Sequence, residues 1–380
     1  MNAPSLAYWT RRSPYFEATR RHGCRSYSVS NHMYQPAGYD DPVAEYWNLV
    51  NGAVLWDVAC ERQVEIAGPD ALAFANMLTP RDVTRCPVGR GRYTVITSGE
   101  GGIVNDPVML RLAEDRFWFS TSDSDLLLWT KGIATFAGMD VRIAEPDVSP
   151  IQIQGPRSGA ILQGLAGDAA AALRFYELME TDLDGIPVVV TRTGWSGELG
   201  YEIFLRDGAR GLELWQRVLD AGAPHGLVVA AASDIRRVEA GILGYGADIG
   251  LDTNPFEAGL GWMVDPAKPA DYIGRAALED IRAAGPARRL VGIVMSGAPW
   301  REPFEATWPV TGGGGEIGRV TVMLHSPGLE RNIGYAMLQT PWTAAGTPLE
   351  LQTPAGRRRA VVSPLPFVAP KSKTASLAAT

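Results

Sequence analysis

Glu202 stands in the run Y-E-I-F-L, directly after the glycine-rich turn T-G-W-S-G-E-L-G (Thr193 to Gly200). Strand alternation can therefore point its carboxylate to one face while Tyr201 and Ile203 point to the other. A carboxylate so placed can accept two hydrogen bonds from a 2-amino-pyrimidinone edge; the alternative is a solvent-exposed glutamate. Asn105 and Asp106, within G-G-I-V-N-D-P-V (Gly101 to Val108), form a second candidate pair. An asparagine cannot act as a general base. Asp106 either holds a ligand or caps the turn before Pro107. A third cluster, Arg237, Glu239, Asp248 and Glu257, lies on the glycine-punctuated run R-V-E-A-G-I-L-G-Y-G-A-D-I-G-L-D-T-N-P-F-E-A-G-L. These charges serve either a site or a set of structural ion pairs, with bracing favoured for Glu239.

The four histidines, His22, His32, His225 and His325, show no metal-ligand spacing. No Ser-His-Asp order, phosphate loop or dinucleotide G-x-G-x-x-G appears, and T-G-G-G-G-E (Thr311 to Glu316) reads as a turn. The formal charge of −7 argues against broad capture of nucleic acid, which needs a basic face. Three cysteines, without C-x-x-C spacing, support neither a disulfide framework nor a zinc site and read as buried thiols. The first residues have no apolar core of a signal peptide, and no apolar run is long enough for a membrane span, so the expected location is the cytoplasm.

At 380 residues, with ordinary globular composition, the chain should divide into two or three domains. Val64 to Leu78 and Ile151 to Leu165 share one pattern: a short alternating strand, Gly-Pro, then an amphipathic helix. The proline suits a first helical turn and the glycine permits the bend. Two related α+β units follow from this. Asp182 to Thr191 reads as a hairpin with Asp184-Gly185 at its turn. A helix is expected over Ala209 to Ala221 with Gly222 as C-cap, and Ser233 should N-cap the helix carrying Arg237 and Glu239. From about Leu290, five β-rich runs separated by Gly and Pro suit a small antiparallel barrel or sandwich: L-V-G-I-V-M, G-R-V-T-V-M-L, N-I-G-Y-A-M-L, P-L-E-L-Q-T and R-A-V-V.

Three strings, T-G-W-S-G-E-L-G-Y-E, W-D-V-A-C-E-R-Q-V-E-I-A-G-P-D (Trp56 to Asp70) and the run from Arg237 to Leu260, together resemble the tetrahydrofolate-dependent aminomethyltransferase family, which includes the glycine-cleavage T-protein. Within it the likeness is greatest to dimethylsulfoniopropionate demethylases. N-H-M (Asn31 to Met33), M-L-T-P-R-D (Met77 to Asp82), G-G-I-V-N-D-P-V, S-D-L-L-L-W (Ser124 to Trp129) and E-P-D-V-S-P (Glu145 to Pro150) recur there in the same order. The resemblance spans nearly the whole chain. It implies an α+β, three-lobed fold around a central opening that holds tetrahydrofolate, with a C-terminal antiparallel β-barrel. It implies a first α+β domain from 1–52 and 140–245, a second from 53–139 and 246–285, the barrel over 286–369 and a disordered tail over 370–380.

The resemblance also implies roles. Glu202 would hold the pterin, with Tyr93, Ser120, Trp195 and Arg237 as further cofactor-binding residues. His32 and Phe204 would contact the substrate, and Asn105 and Asp106 would form the catalytic pair. T-proteins usually carry two consecutive aspartates where this chain has Asn105-Asp106, so methylene transfer loses support. Methyl transfer from a sulfonium needs less, because the thioether departs without protonation and the enzyme mainly positions the reactants. Tryptophan is the best aromatic partner for such a cation, and Trp195 replaces the family's usual tyrosine. W-S-G-E-L-G-Y-E is the T-protein-like version of that segment, and Phe204 also departs from the demethylase pattern, which puts the exact donor in question. The expected activity is a tetrahydrofolate-dependent demethylase of dimethylsulfoniopropionate or a related sulfonium. The alternatives are a methylated amine, a methoxylated aromatic acid with Tyr93 or His32 as proton donor, an aminomethyltransferase, or a non-enzymatic folate-binding protein. The expected partners are the methyl donor and tetrahydrofolate, with a homodimer as an option; no metal, nucleic acid or membrane is expected.

Overall fold

The computed structural model describes residues 6–374. Its helices and strands fall into an α+β arrangement of two main sheets followed by a closed barrel. The first sheet has six strands in the spatial order Leu178–Leu183, Ile186–Thr191, Gly200–Leu205, Ser149–Gln154, Ala53–Asp57 and Leu227–Val229. All pairs are antiparallel except the last, where Leu227 aligns with Ala53. The second has five, in the order Arg142–Ala144, Gln63–Ala67, Arg116–Ser120, Val108–Ala113 and Arg90–Tyr93.

Two domain boundaries expected from the sequence cut through these sheets. Ala53–Asp57 belongs with the first sheet, not with the segment beginning at 53, and every one of its residues is buried. A continuous apolar strand of that kind needs cover on both faces, which a central position supplies. Arg142–Ala144 pairs antiparallel with Gln63–Ala67 and so joins the second sheet. A partition drawn along the sheets, with these two strands exchanged, is the one we propose.

Both strand–Gly-Pro–helix units are present: Gln63–Ala67 leads to Ala71–Met77, and Ser149–Gln154 leads to Ser158–Ala171. The prolines sit one step earlier than expected. Pro69 and Pro156 follow the glycine in a turn closed by Ala71 N–H to Gly68 O and Ser158 N–H to Gly155 O, each at 3.0 Å. A preset φ of about −65° favours proline at the second position of such a turn. Gly68 and Gly155 adopt φ of 132° and 117°, and a Cβ would lie 2.6 Å from Asp140 O and 2.5 Å from Gly52 O, so glycine is required at both.

The hairpin turns at Asp184 and Gly185, both at positive φ. Ser233 caps the helix Asp234–Glu239, accepting from Arg236 N–H at 3.3 Å. Gly222 is the last residue of the helix Gly211–Gly222, not its cap; the left-handed residue is Gly226, after a further short turn.

The barrel closes in the order Arg288–Met295, Arg331–Gln339, Gly315–Ser326, Trp308–Gly312, Pro348–Thr353 and Gly356–Ser363. Trp308–Gly312 is a sixth strand that the sequence patterning passed over, because Pro309 argues against a strand with partners on both sides. It is tolerated because the register on one side reaches only Val310 and Thr311. The outer face of three barrel strands packs on the glycine-punctuated run: Val238, Leu243, Ile249 and Leu260 share an apolar cluster with Leu290, Val322, Tyr335 and Met337. The Tyr335 hydroxyl donates to Val238 O at 3.0 Å.

Candidate active site

The faces of the two sheets meet over a layer of Leu110, Leu112, Trp118, Leu178, Val189 and Phe204. Beside that layer opens a cavity of ≈ 1110 Å³. Small-ligand clefts usually measure about 300–1,000 Å³, so this one has room for a long cofactor together with a small second reactant. Its walls come from both sheets, from the run 232–262 and from the segment at 370–373. Among the described residues none of the lining belongs to the barrel strands, which instead hold the 237–260 run in place.

Register sets the polar groups. Across the first sheet, Thr191, Glu202, Gln152 and Trp56 form one cross-strand row. Gln63, Ser120, Val108 and Tyr93 form a row across the second. Cross-strand partners point to the same face, so each row presents its side chains together. Glu202 accepts from Gln152 Nε2 at 2.6 Å, from Thr191 Oγ1 at 3.4 Å and from Thr193 Oγ1. The same Gln152 Nε2 lies 3.3 Å from Glu61 Oε1, and Ser120 Oγ donates to Glu61 Oε2 at 3.5 Å while accepting from Gln63 Nε2 at 3.0 Å.

Two carboxylates thus share one amide at the wall of the cavity. Burial raises the pKa of Glu202, and burial together with the Glu202 charge raises that of Glu61 well above the usual carboxylate range. Glu202, with three donors, is the better placed of the two to carry the negative charge. Nearby, Trp56 Nε1, Gln152 Oε1 and Gln63 Oε1 are buried with no hydrogen-bond partner. Of these residues Trp56 lines the cavity, and an orphaned donor beside a carboxylate suits a ligand edge that carries both kinds of group, which is what a reduced pterin offers.

Asp106 faces the cavity, while Asn105 does not. Asp106 accepts from Tyr93 OH at 2.8 Å and Ser122 Oγ at 2.5 Å, and burial pushes its carboxyl up to about 6. Asn105 is wholly buried. Its amide donates to Ser122 O and Ser124 Oγ at 3.0 and 2.8 Å, and its oxygen accepts from Ser122 N–H at 3.2 Å. It holds the 122–124 loop that carries Asp106's partner. From the other side Asn31 does the same, donating to Cys60 O and Ser122 O and accepting from Ser124 N–H at 2.9, 3.0 and 3.0 Å.

Trp195 lines the cavity, but one face of its ring is already covered by the Arg237 guanidinium at 5.2 Å. Arg237 in turn is held by Asp234 at 2.6 Å and Asp248 at 2.7 Å, and Asp248 also accepts from Thr321 Oγ1 and Gly244 N–H. Glu239 accepts from Ser326 Oγ, Tyr46 OH and Arg236. Glu257 pairs with Arg288, and Arg319 with Asp252.

Two residues expected at the substrate lie elsewhere. Phe204 is wholly buried in the layer between the sheets, in contact with Trp118 rather than with the cavity. His32 sits at positive φ on the outside, 3.1 Å from Asp125, with its side chain 70% exposed. In the N-H-M string Asn31 and Met33 are the buried residues, and Asn31 is the one bonded to the 122–124 loop.

The expected tail is also partly placed. Lys371 N–H and Ser372 N–H donate to Gly197 O at 2.7 and 3.0 Å, and Lys371 Nζ lies 3.3 Å from Glu198. The rest of that tail, 375–380, lies outside the described residues. Glu61, Gln152, Trp56 and Asn31 were not singled out from sequence. Glu61, Trp56 and Asn31 fall within strings that carried the resemblance, and only their spatial partners show what they do.

The fold and this site together place the chain in the glycine-cleavage T-protein family. The family's N-terminal domain matches residues 15–268 and its C-terminal barrel domain matches 288–369. The chain is accordingly a tetrahydrofolate-dependent methyltransferase, and tetrahydrofolate is its cofactor. Among curated relatives it is 38% identical to the dimethylsulfoniopropionate demethylase DmdA of Ruegeria pomeroyi, over 93% of this chain and 96% of that one. It is 32% identical to an aminomethyltransferase of Bacillus mycoides, over 94% and 97%. The structure superposes on aminomethyltransferase T of the glycine cleavage system from Bartonella henselae with a TM-score of 0.86, at 25% identity, covering 95% and 99%. Among the described residues no helix is long and apolar enough to cross a membrane.

Proposed function

We propose that this protein is a demethylase that moves one methyl group from dimethylsulfoniopropionate, or a related small sulfonium, to tetrahydrofolate, giving 5-methyltetrahydrofolate. The observation that carries the reading is Asn105. Where T-proteins usually have a first aspartate, this chain has a neutral amide whose donors and acceptor are all spent on the 122–124 loop. The 38% identity to a demethylase supports the same reading.

When bound, tetrahydrofolate supplies the ring nitrogen whose lone pair accepts the methyl group. Glu202 and Glu61, braced by Gln152, would hold the amino-pyrimidinone end, with Trp56 Nε1 as a further donor. Asp106, kept near a pKa of about 6 and gripped by Tyr93 and Ser122, takes the proton that the methylated nitrogen must lose. Trp195 offers its open face to the donor cation, with Arg237 fixed behind it. The thioether leaves neutral and needs no acid. Positioning of the two reactants therefore carries most of the acceleration.

A donor panel tests this: anaerobic incubation with tetrahydrofolate and dimethylsulfoniopropionate, glycine betaine, dimethylglycine, vanillate or an aminomethylated lipoyl carrier, with products followed by mass spectrometry. Formation of 5-methyltetrahydrofolate with the sulfonium alone is the expected result. Product with another methyl donor only reassigns the substrate, and methylene product from the lipoyl carrier would overturn the demethylase reading.

A further inference from the structure

The stretch from Arg81 to Tyr93, with Arg174 across from it, carries more positive charge at the cavity than the protein neutralises. Arg85 pairs with Asp82 at 3.2 Å, and Arg90 and Arg174 share Glu177 at 2.9 and 2.5 Å. That sharing holds the Glu177 carboxyl down to about 2. Arg81 and Arg92 are left over. Both line the cavity, and neither has a carboxylate partner among the described residues. Arg81 donates to Tyr93 O at 2.5 Å and lies over the ring of Trp262 at 5.0 Å; Arg92 donates to Arg85 O at 2.8 Å. Each is only partly exposed. Burial and the neighbouring Arg92 charge together depress the pKa of Arg81.

Two guanidinium groups held near each other at a cavity wall, with backbone carbonyls as their hydrogen-bond acceptors, repel unless an anion joins them. Their planar donor forks suit a carboxylate. We propose that Arg81 and Arg92 form a carboxylate-binding subsite of the active cavity. The inference rests on the function proposed above, which brings two carboxylate-bearing molecules into the cavity: tetrahydrofolate through its glutamate end, and the sulfonium donor through its propionate. Arg90, Arg174 and Lys373, which also line the cavity, set the positive surroundings without being free in the same way, since the first two are bound to Glu177 and Lys373 stands exposed at the far end of the chain.

The test is calorimetry on the full-length wild type, Arg81→Gln, Arg92→Gln and the double variant, with circular dichroism melts as the fold control. Three ligands are titrated: tetrahydrofolate, 6-methyltetrahydropterin, which carries no carboxylate, and dimethylsulfoniopropionate into folate-loaded protein. The double variant should weaken one carboxylate ligand by about 10- to 100-fold while 6-methyltetrahydropterin binds as before. Loss confined to tetrahydrofolate assigns the subsite to the folate glutamate. Loss confined to the sulfonium assigns it to the donor. Unchanged affinity for all three in a folded variant overturns the proposal, and Arg92→Gln alone carries the test if the double variant misfolds. A wild type that binds tetrahydrofolate but turns over no sulfonium refutes the proposed donor, and the contrast between tetrahydrofolate and 6-methyltetrahydropterin then still decides whether the arginines bind a carboxylate. Full turnover with unchanged affinities refutes the subsite and leaves the function standing.

Discussion

Replacing Asp106 by asparagine should make the protein more stable at alkaline pH and much slower. The carboxyl is 6% exposed and its pKa is raised from 3.8 to about 6, because burial opposes the charge more than the Ser122 and Tyr93 hydroxyls support it. A carboxyl whose folded pKa exceeds its unfolded one favours the native state fully below 3.8, and that contribution is lost as pH rises through about 6. A rise of that size corresponds to about 3 kcal/mol at ~1.36 kcal/mol per pH unit. Asparagine does not titrate, and both hydroxyls can rotate to meet an amide. The stability difference between Asp106→Asn and wild type should therefore grow by about 2.5 kcal/mol between pH 4 and pH 8. Urea unfolding followed by tryptophan fluorescence at pH 4, 6 and 8 measures it. Turnover should fall by about 10²- to 10⁴-fold, the usual worth of a positioned acid or base, and the acidic limb near pH 6 in kcat/KM should disappear. A stability difference that stays flat with pH would refute the burial argument, and full turnover would remove Asp106 from the chemistry.

Three further outcomes follow from the site. Glu202→Ala should weaken tetrahydrofolate binding by at least about 100-fold with the melting profile retained, since it removes the acceptor of the charge-assisted bonds; unchanged affinity by calorimetry would exclude it from the pterin end. Asn105→Asp should lower stability by about 3 kcal/mol in urea titrations at pH 8, because a wholly buried carboxylate would face the Ser122 carbonyl and crowd Asp106. Glu198→Ala should cost about 3 kcal/mol by leaving the buried Arg236 with Glu239 alone. It should also speed tryptic cleavage after Lys371, whose ammonium it no longer holds. Protection equal to wild type would detach that segment from Glu198.

Much of this protein could be read before folding. Alternation, Gly-Pro punctuation and turn residues located both strand–helix units, the Asp184-Gly185 hairpin and five of six barrel strands, because each rests on local backbone preferences. Trp308–Gly312 escaped because a proline reads as a strand breaker, and only the short register of its neighbour makes it acceptable. The Gly222 cap failed for a related reason: a C-cap depends on where the chain turns next, and here a further short turn delays the left-handed residue to Gly226.

The chemistry divides along the same line. Residue types and their order along the chain determined the family and the cofactor class, since such strings are properties of sequence alone; that Glu202, Asp106, Tyr93 and Ser120 line one cavity is read from the fold. Which side of a wall each residue occupies was decided only in three dimensions. Glu202 and Phe204 share one strand and one alternation phase, yet one ends at the cavity and the other beneath the opposing sheet, because the second sheet crosses above Phe204 and leaves Glu202 uncovered. Glu61, far from Glu202 along the chain, becomes its electrostatic partner because the fold brings both onto the amide of Gln152. Arg81 and Arg92 stand without counterions only because folding has spent Asp82 and Glu177 on their neighbours. Coulomb and hydrogen-bond energies depend on distance in space, which sequence separation does not contain.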